Sequence, residues 1–282
     1  MHLLIVAVLT LREAARRRIF AAVAVLTVLA VGLTAWGMWR IAASMQQRGE
    51  PAVEVAGAFA ILVLLLAYMF SVVLAVGAAF LSAPAIASDV ESGVILAMLP
   101  RPIRRSDIVL GKWIALVALL VAYTFAVGAI EFTLIHRISG YLPPHPLRAL
   151  GFLASEGTVL LTLALLLGTR LSPIAAGITA IVLFGLTWIG GIAQSIALAL
   201  RNDGVVHAAT ALSLALPTDG LWRGAAYALE PAVLAAAALT DVRRESPFTV
   251  GAPPPAAFDW WAFCWVAVVL YAAVVSFQKR DL

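Results

Sequence analysis

Residues 55–88 read VAGAFAILVLLLAYMFSVVLAVGAAFLSAPAIAS and run for 34 positions without a charge. No polar–apolar alternation interrupts them, so they are not the strand of a membrane barrel. As a helix they extend about 51 Å at 1.5 Å per residue. A hydrocarbon core is only about 30 Å thick. This segment therefore crosses a bilayer and projects beyond it, and Pro84 is the place to expect a break.

Outward from that stretch the chain repeats the theme. Uncharged or nearly uncharged runs occupy 19–39, 113–130, 149–169, 171–200 and 260–278. Glu131 follows the 113–130 run, and Glu156 interrupts the 149–169 run. Six spans of about 20 residues each result. The whole chain has 282 residues, of which 63% are apolar and 12% charged. Soluble domains are roughly 45–50% apolar and about 25% charged. Its mean hydropathy is +1.02. A soluble enzyme, a disordered tail and a disulfide scaffold are excluded. The fold class is all-α: one polytopic transmembrane domain over 1–282, because in lipid only helices and closed barrels satisfy their own backbone.

The net charge of +4 does not point to nucleic acid. Its cations abut apolar runs, where they anchor to anionic headgroups. With the N-terminus inside, eleven Lys and Arg fall on inner segments and eight on outer ones. Half of the outer set sits in one long loop, where the bias carries little weight. Both termini are therefore expected in the cytoplasm. The first residues are not a signal peptide, because Arg12, Arg16, Arg17 and Arg18 follow the apolar piece instead of preceding it. Residues 1–18 are expected to lie in the interface as a helix. Cys264 lies in an apolar run and has no internal partner for a disulfide.

The 201–259 loop is expected to hold a re-entrant or interfacial helical segment on the outer face. Pro217-Thr218-Asp219-Gly220 reads as a turn and helix start, with Thr218 or Asp219 as cap. A helix over 221–240 would contain Arg223, Glu230 and Pro231, too much for a full span. Pro231 kinks or ends it. Trp260 and Trp261 suit a membrane interface.

Catalytic motifs are missing from the sequence. No phosphate-binding loop occurs, since Gly111-Lys112-Trp113 lacks the earlier glycine and the hydroxyl residue. There is no zinc-protease or nucleophile-elbow motif. The histidines are scattered, with His136 and His145 flanking one outer loop. No catalytic residue, bound cofactor or metal ligand is assigned.

The most informative stretch is 83–113, APAIASDVESGVILAMLPRPIRRSDIVLGKW, on the cytoplasmic side between spans two and three. Residues 85–99 can form a helix. Asp89 and Glu91 suit its positive end. Val90, Val94, Ile95, Met98 and Leu99 give an apolar stripe at spacings of three and four. Gly93 allows a close backbone approach. Pro100 and Pro102 then force extended chain, and Ser106 or Asp107 caps the third span. An apolar stripe in cytoplasm wants either a protein partner or the bilayer surface.

Here the sequence resembles the permease subunits of ABC-2 type ABC exporters, in their six-span bacterial branch. The resemblance rests on Asp89, Glu91, Gly93, Leu99-Pro100, Arg101 or Arg104, and Gly111-Lys112, in that order. The start, Leu9-Thr10-Leu11-Arg12-Glu13 through Arg18, the Pro217-Thr218-Asp219 turn and the ending Phe277-Gln278-Lys279-Arg280-Asp281-Leu282 add to it. It implies a non-catalytic subunit of a bacterial or archaeal cytoplasmic membrane. A second permease copy or homologous permease would pair with it around a central path. Two separate ABC ATPases would bind ATP and Mg and dock beneath. The 83–112 loop would be the coupling loop, and 85–99 its coupling helix. Asp89, Glu91, Gly93, Val94, Met98, Arg101 and Arg104 would contact the ATPase. Asp89 and Glu91 would pair either with its basic residues or with Arg104 and Arg105 of the same loop.

Polar residues inside spans are candidate path residues, because lipid makes them costly. Glu131 and Glu156 end one span and begin the next near the outer leaflet. They would line an exit for a cationic or amphiphilic substrate, or pair with Arg137 and Arg148. Gln194 and Ser195, after Gly185, Gly190 and Gly191, would line the path or a dimer seam. Tyr123 and Thr124 read as packing. An ATPase-independent carrier, channel or scaffold is the alternative function; an integral membrane enzyme is another.

Overall fold

A computed structural model describes residues 5–11, 18–91, 104–231, 250 and 252–280. Residues 5–11 are helical, as expected of the interfacial piece, whereas 12–17 lie outside the described residues. Eight longer helices follow: α1 (Arg18–Gln47), α2 (Ala52–Glu91), α3 (Arg105–Ser139), α4 (Pro146–Gly168), α5 (Pro173–Ala199), α6 (Asp203–Ala215), α7 (Thr218–Leu229) and α8 (Ala256–Gln278). Six of them, α1 to α5 and α8, are long and apolar enough to cross a membrane. The six-span, all-helical reading holds.

Local chemistry sets most boundaries. Proline opens α4 and α5, where its missing N–H has no helical partner to lose. Ser172 caps α5 by accepting the N–H of Ala175, and Asn202 caps α6 by accepting that of Val205. Helix α3 stops at Gly140, which takes a left-handed φ of 72° and donates its N–H to the His136 carbonyl. Since glycine sets that end, α3 runs past Glu131 and carries it two turns inside the helix. The start of α3 departs from expectation as well. Its N-cap is Arg104, with no side-chain cap, in place of Ser106 or Asp107.

Pro84 does not break the second span. Helix α2 is continuous over 40 residues, about 60 Å, with Pro84 inside. The proline denies a backbone donor to the Phe80 carbonyl. Membrane bundles tolerate a proline inside a helix in this way. Residues 85–91 of the expected coupling helix are thus the end of α2, and 92–103 lie outside the described residues.

Helix α4 is the hub. It packs against α2, α3, α5, α7 and α8. Ala75, Ala78, Ala79 and Ala83 of α2 meet Leu160, Leu161 and Ala164 of α4 and Ala176 and Ala180 of α5. The small side chains let backbones approach closely. Gly168 lies so near α2 that a Cβ there would stand 2.6 Å from the Ala83 carbonyl oxygen. Helix α1 leans on α3 and leaves most of its apolar surface exposed, Leu26, Leu33, Trp36 and Trp39 among it.

The two ends of the bundle differ. At one, here the loop end, α2 leads toward α3 and α8 finishes. At the other, the hairpin end, α6 and α7 fold back between the longer helices. The turn of that hairpin places Thr218 against Thr187, twelve residues before the end of α5 at Ala199 and so about 18 Å into the bundle. Trp261 and Trp265, one turn apart on α8, donate indole N–H groups to the carbonyls of Leu214 and Ala215 at 3.0 and 2.8 Å. Those are last-turn carbonyls of α6 that have no helical donor. Helix α7 begins at Thr218 behind Pro217, earlier than its expected start at 221, and neither Thr218 nor Asp219 is its cap. It ends at Leu229 because the residue before Pro231 is driven to extended backbone, as Glu230 is with ψ 125°. Twelve residues are far too few to span. The remainder of the 221–240 expectation falls on 232–240, outside the described residues.

Substituting Gly168→Ala pushes a methyl onto a backbone oxygen that has little room to retreat. It lowers stability by about 1–3 kcal/mol. Gly185→Ala, whose Cβ meets nothing within 4 Å, changes little. Thermal unfolding of the detergent-solubilised protein, both variants side by side, measures the difference.

Candidate functional site

At the loop end the decisive group is Lys112, about two turns into α3 and only 7% exposed. Its ammonium donates to the Asp89 carboxylate and to the Ala85 carbonyl. Both acceptors belong to α2, four residues apart on one helix face, beyond Pro84. A buried ammonium is tolerated only when paired and hydrogen-bonded, and this one is both. Among the described residues, Asp89 is therefore engaged by Lys112 and not by Arg104 or Arg105. Glu91 is the last residue of α2, while Gly93, Val94, Met98 and Arg101 lie outside the described residues.

The arginines of this end do other work. Arg105 donates to the carbonyls of Gln278 and Arg280 at 3.0 and 2.8 Å. Arg170, in the α4–α5 turn, reaches the Ser276 hydroxyl at 3.0 Å and carbonyl at 3.1 Å. Arg280 returns a bond to the Thr169 carbonyl at 2.6 Å, and the Thr169 and Ser276 hydroxyls meet at 2.7 Å. Cations suit a helix C-terminus, where carbonyls stand without donors. Together they fasten the end of α8 to the start of α3 and to the α4–α5 turn. The sequence offered Arg105 and Arg280 as headgroup anchors and Arg105 also as a partner for Asp89 or Glu91; their carbonyl partners lie far along the chain.

At the hairpin end the site forms where α7 meets α2, α4 and α5. Glu156 of α4 is 3% exposed. Both of its carboxylate oxygens lie within reach of the Ser71 hydroxyl of α2, at 3.0 and 2.9 Å. Tyr68, Thr187, Asp219 and Trp222 close a small void beside it, with room for about one water. Tyr68 stacks on Trp188 and meets Trp222 edge-on, with centroids 5.4 and 5.5 Å away. Asp219 lies directly against Gly191, where any Cβ would overlap its carboxylate. Arg223 donates to Asp219 and to the Gly191 carbonyl, each at 2.9 Å. The hairpin is thereby pinned to α5 by an ion pair, a glycine contact and the Thr187–Thr218 bond of 2.8 Å.

The expected path residues do not share one space. Glu131 borders a shallow cleft between α1 and α3 with Thr34, Met38 and Leu66. Glu156 is on the other side, against α7, and it meets Ser71 where an arginine was the alternative. Gln194 donates to Thr210 of α6 at 3.1 Å, and Ser195 bonds back to the Gly191 carbonyl at 3.2 Å. Both belong to the hairpin seam. Tyr123 bonds Thr27 at 2.9 Å, and Thr124 is fully buried, so both pack as read. Sequence reasoning missed Ser71, Thr187, Lys112 as a clamp, and the two tryptophans under the hairpin. The four-residue spacing of Trp261 and Trp265 was the only available signal. Among the described residues no group of three His, Cys, Asp or Glu is placed to hold a metal.

At the rim of the hairpin end, Glu230 accepts the Val250 N–H at 2.9 Å through Oε2, while its buried Oε1 has no hydrogen-bond partner among the described residues. Burial pushes its pKa up and the Val250 N–H pulls it down. Tyr141, in the α3–α4 connection, is pushed up to about 12 by burial and stays neutral.

These features define a polytopic helical membrane protein with a bonded loop end and an inserted hairpin. The family model described as ABC-2 family transporter protein matches residues 4–282, nearly the whole chain, and the protein belongs to that family. It is thus a membrane component of an ABC transporter, a family whose partners are ABC ATPases. No curated protein matches the chain.

Replacing Ser71 by Ala removes the donor to a buried carboxyl and costs about 1–3 kcal/mol, read as a lower unfolding temperature in detergent. Glu230 has a raised folded pKa, so its favourable contribution is complete below its ordinary 4.5. It fades as pH rises through the folded value. Glu230→Gln removes that fade: the variant loses less stability than the parent between mildly acid and neutral pH in a thermal-unfolding series.

Proposed function

We propose that this chain is the permease subunit of an ATP-driven exporter, with both termini in the cytoplasm of a bacterial or archaeal cell. Two copies, or one copy and a homologous permease, enclose the path. Two separate ABC ATPases dock on the loop end and carry ATP and Mg; this chain performs no catalysis. One observation carries the reading. The apolar, acidic-fronted stretch between Glu91 and Arg105 issues from two helices that Lys112 bonds together, so a push on that stretch meets a firm base. Glu91, Gly93, Val94, Met98, Arg101 and Arg104 make the ATPase contact, with Asp89 contributing beside Lys112.

Substrate passes the hairpin end. Glu156 stands at its foot, costly to bury and positioned to meet a cationic or amphiphilic substrate when α7 moves off α5. Gln194 and Ser195 set the hairpin in place on α5. Glu131 in its separate cleft serves a second stretch of the path toward α1.

The test is a pull-down of tagged protein from gently solubilised native membranes, with co-purifying proteins identified. An ATPase with a phosphate-binding loop is expected with the parent chain. It is lost when Val94 and Met98 are both replaced by Asp. Retention despite those changes moves the docking surface elsewhere, and absence of any ATPase turns the reading to a carrier, channel or scaffold.

A further inference from the structure

The fully buried apolar residues of α2 fall into different clusters on the two sides of Pro84, with Ala85 and Trp113 packed against both. On the hairpin side of the proline, Ala75, Ala78, Ala79 and Ala83 of α2 pack in a cluster with Leu116 and Leu120 of α3 and with α4 and α5. Beyond it, Ile86 belongs to a different cluster, with Val109 of α3, Leu165 of α4, and Ala273 and Phe277 of α8. The polar bonds divide at the same place. Ala85 and Asp89 are bound by Lys112 of α3, and Arg105 of α3 is bound to the last carbonyls of α8. The helix also lacks a backbone hydrogen bond there, since Phe80 has no donor from Pro84. Helix α2 thus joins a cluster that includes α8 beyond its proline, while α3 and α4 line both sides.

We infer that Lys112 is a positioning residue for coupling. It binds residues 85–91 of α2 to α3 so that the loop ends of α2, α3 and α8 move as one body, with Pro84 as the hinge that frees them from the rest of α2. The inference rests on the exporter reading above and deepens it. Motion applied between Glu91 and Arg105 passes into α3 and α8, not along α2. The chemistry fits that role. An ammonium with two acceptors on one helix face resists sliding as well as separation. A methionine of similar length fills the space but holds neither acceptor.

The experiment uses the complex of this chain with its ATPase, in nanodiscs, with spin labels at lipid-exposed positions. Val73 on α2 and Ile114 on α3 report across the hinge, and Ile114 with Tyr271 on α8 reports within the body; all three side chains are exposed. In the parent protein, trapping the ATP-bound state shifts the Val73–Ile114 distance and leaves Ile114–Tyr271 unchanged. Lys112→Met keeps ATPase co-purification and loses the Val73–Ile114 shift, and Lys112→Arg restores it. Pro84→Ala returns the missing donor, folds at least as well, and diminishes the same shift; it decides the matter if Lys112→Met does not fold. A Lys112→Met or Pro84→Ala protein that shifts like the parent, with ATPase still bound, overturns the inference while leaving the exporter reading intact. Failure of the parent chain to hold any ATPase overturns the exporter reading and takes the inference with it.

Discussion

The close approach of α2 and α4 is the contact on which the remaining structure depends. Alanines on α2 and Gly168 on α4 bring two backbones together. Apolar burial gives helices no advantage over lipid inside a bilayer, so dispersion between closely fitted surfaces has to hold the pair. Once α2 and α4 are joined, Ser71 faces Glu156 and the carboxyl is satisfied. The same junction sets the depth at which α7 enters, because Trp222 and Gly224 pack against Tyr68 and Phe152 on those two helices.

The inserted hairpin shows how a polar segment is accommodated at depth. Two short helices end inside the bundle, where unsatisfied carbonyls would be costly. The cost is met from both flanks: α8 supplies two indole donors to the end of α6, and α5 supplies a hydroxyl and a carbonyl to the start of α7. Arg223 and Asp219 neutralise each other across one helical turn. None of these bonds depends on water. That is the condition for irregular backbone below the membrane surface.

The loop end follows a different rule. Its cations do not pair chiefly with carboxylates. Arg105, Arg170 and Arg280 bind carbonyls at chain ends and turns, which have partial negative charge and no helical donors. Among the described residues of this end, Lys112 combines a carbonyl with a carboxylate. The result is a network that fixes helix ends. It bonds together the helix ends on either side of residues 92–103.

The sequence by itself determined the membrane class, the six spans, the family resemblance and a helical segment between spans five and six. Each is written in local signals: uncharged length, proline and glycine at helix ends, an ordered set of residues around Asp89 and Gly111-Lys112. It also marked Glu131 and Glu156 as costly, since a carboxylate in an apolar run is visible in one dimension. Tertiary structure alone decided their partners. Ser71 and Glu156 are 85 positions apart, and Arg105 and Arg280 are 175 apart. Such pairs depend on which faces of which helices meet, and near-uniform apolar runs contain little information about facing. Pro84 makes the same point from the other side. Its local rule says that a helix breaks, but α2 stays continuous, with Gly168 of α4 close against it on one side of the proline and Lys112 bonded to it on the other.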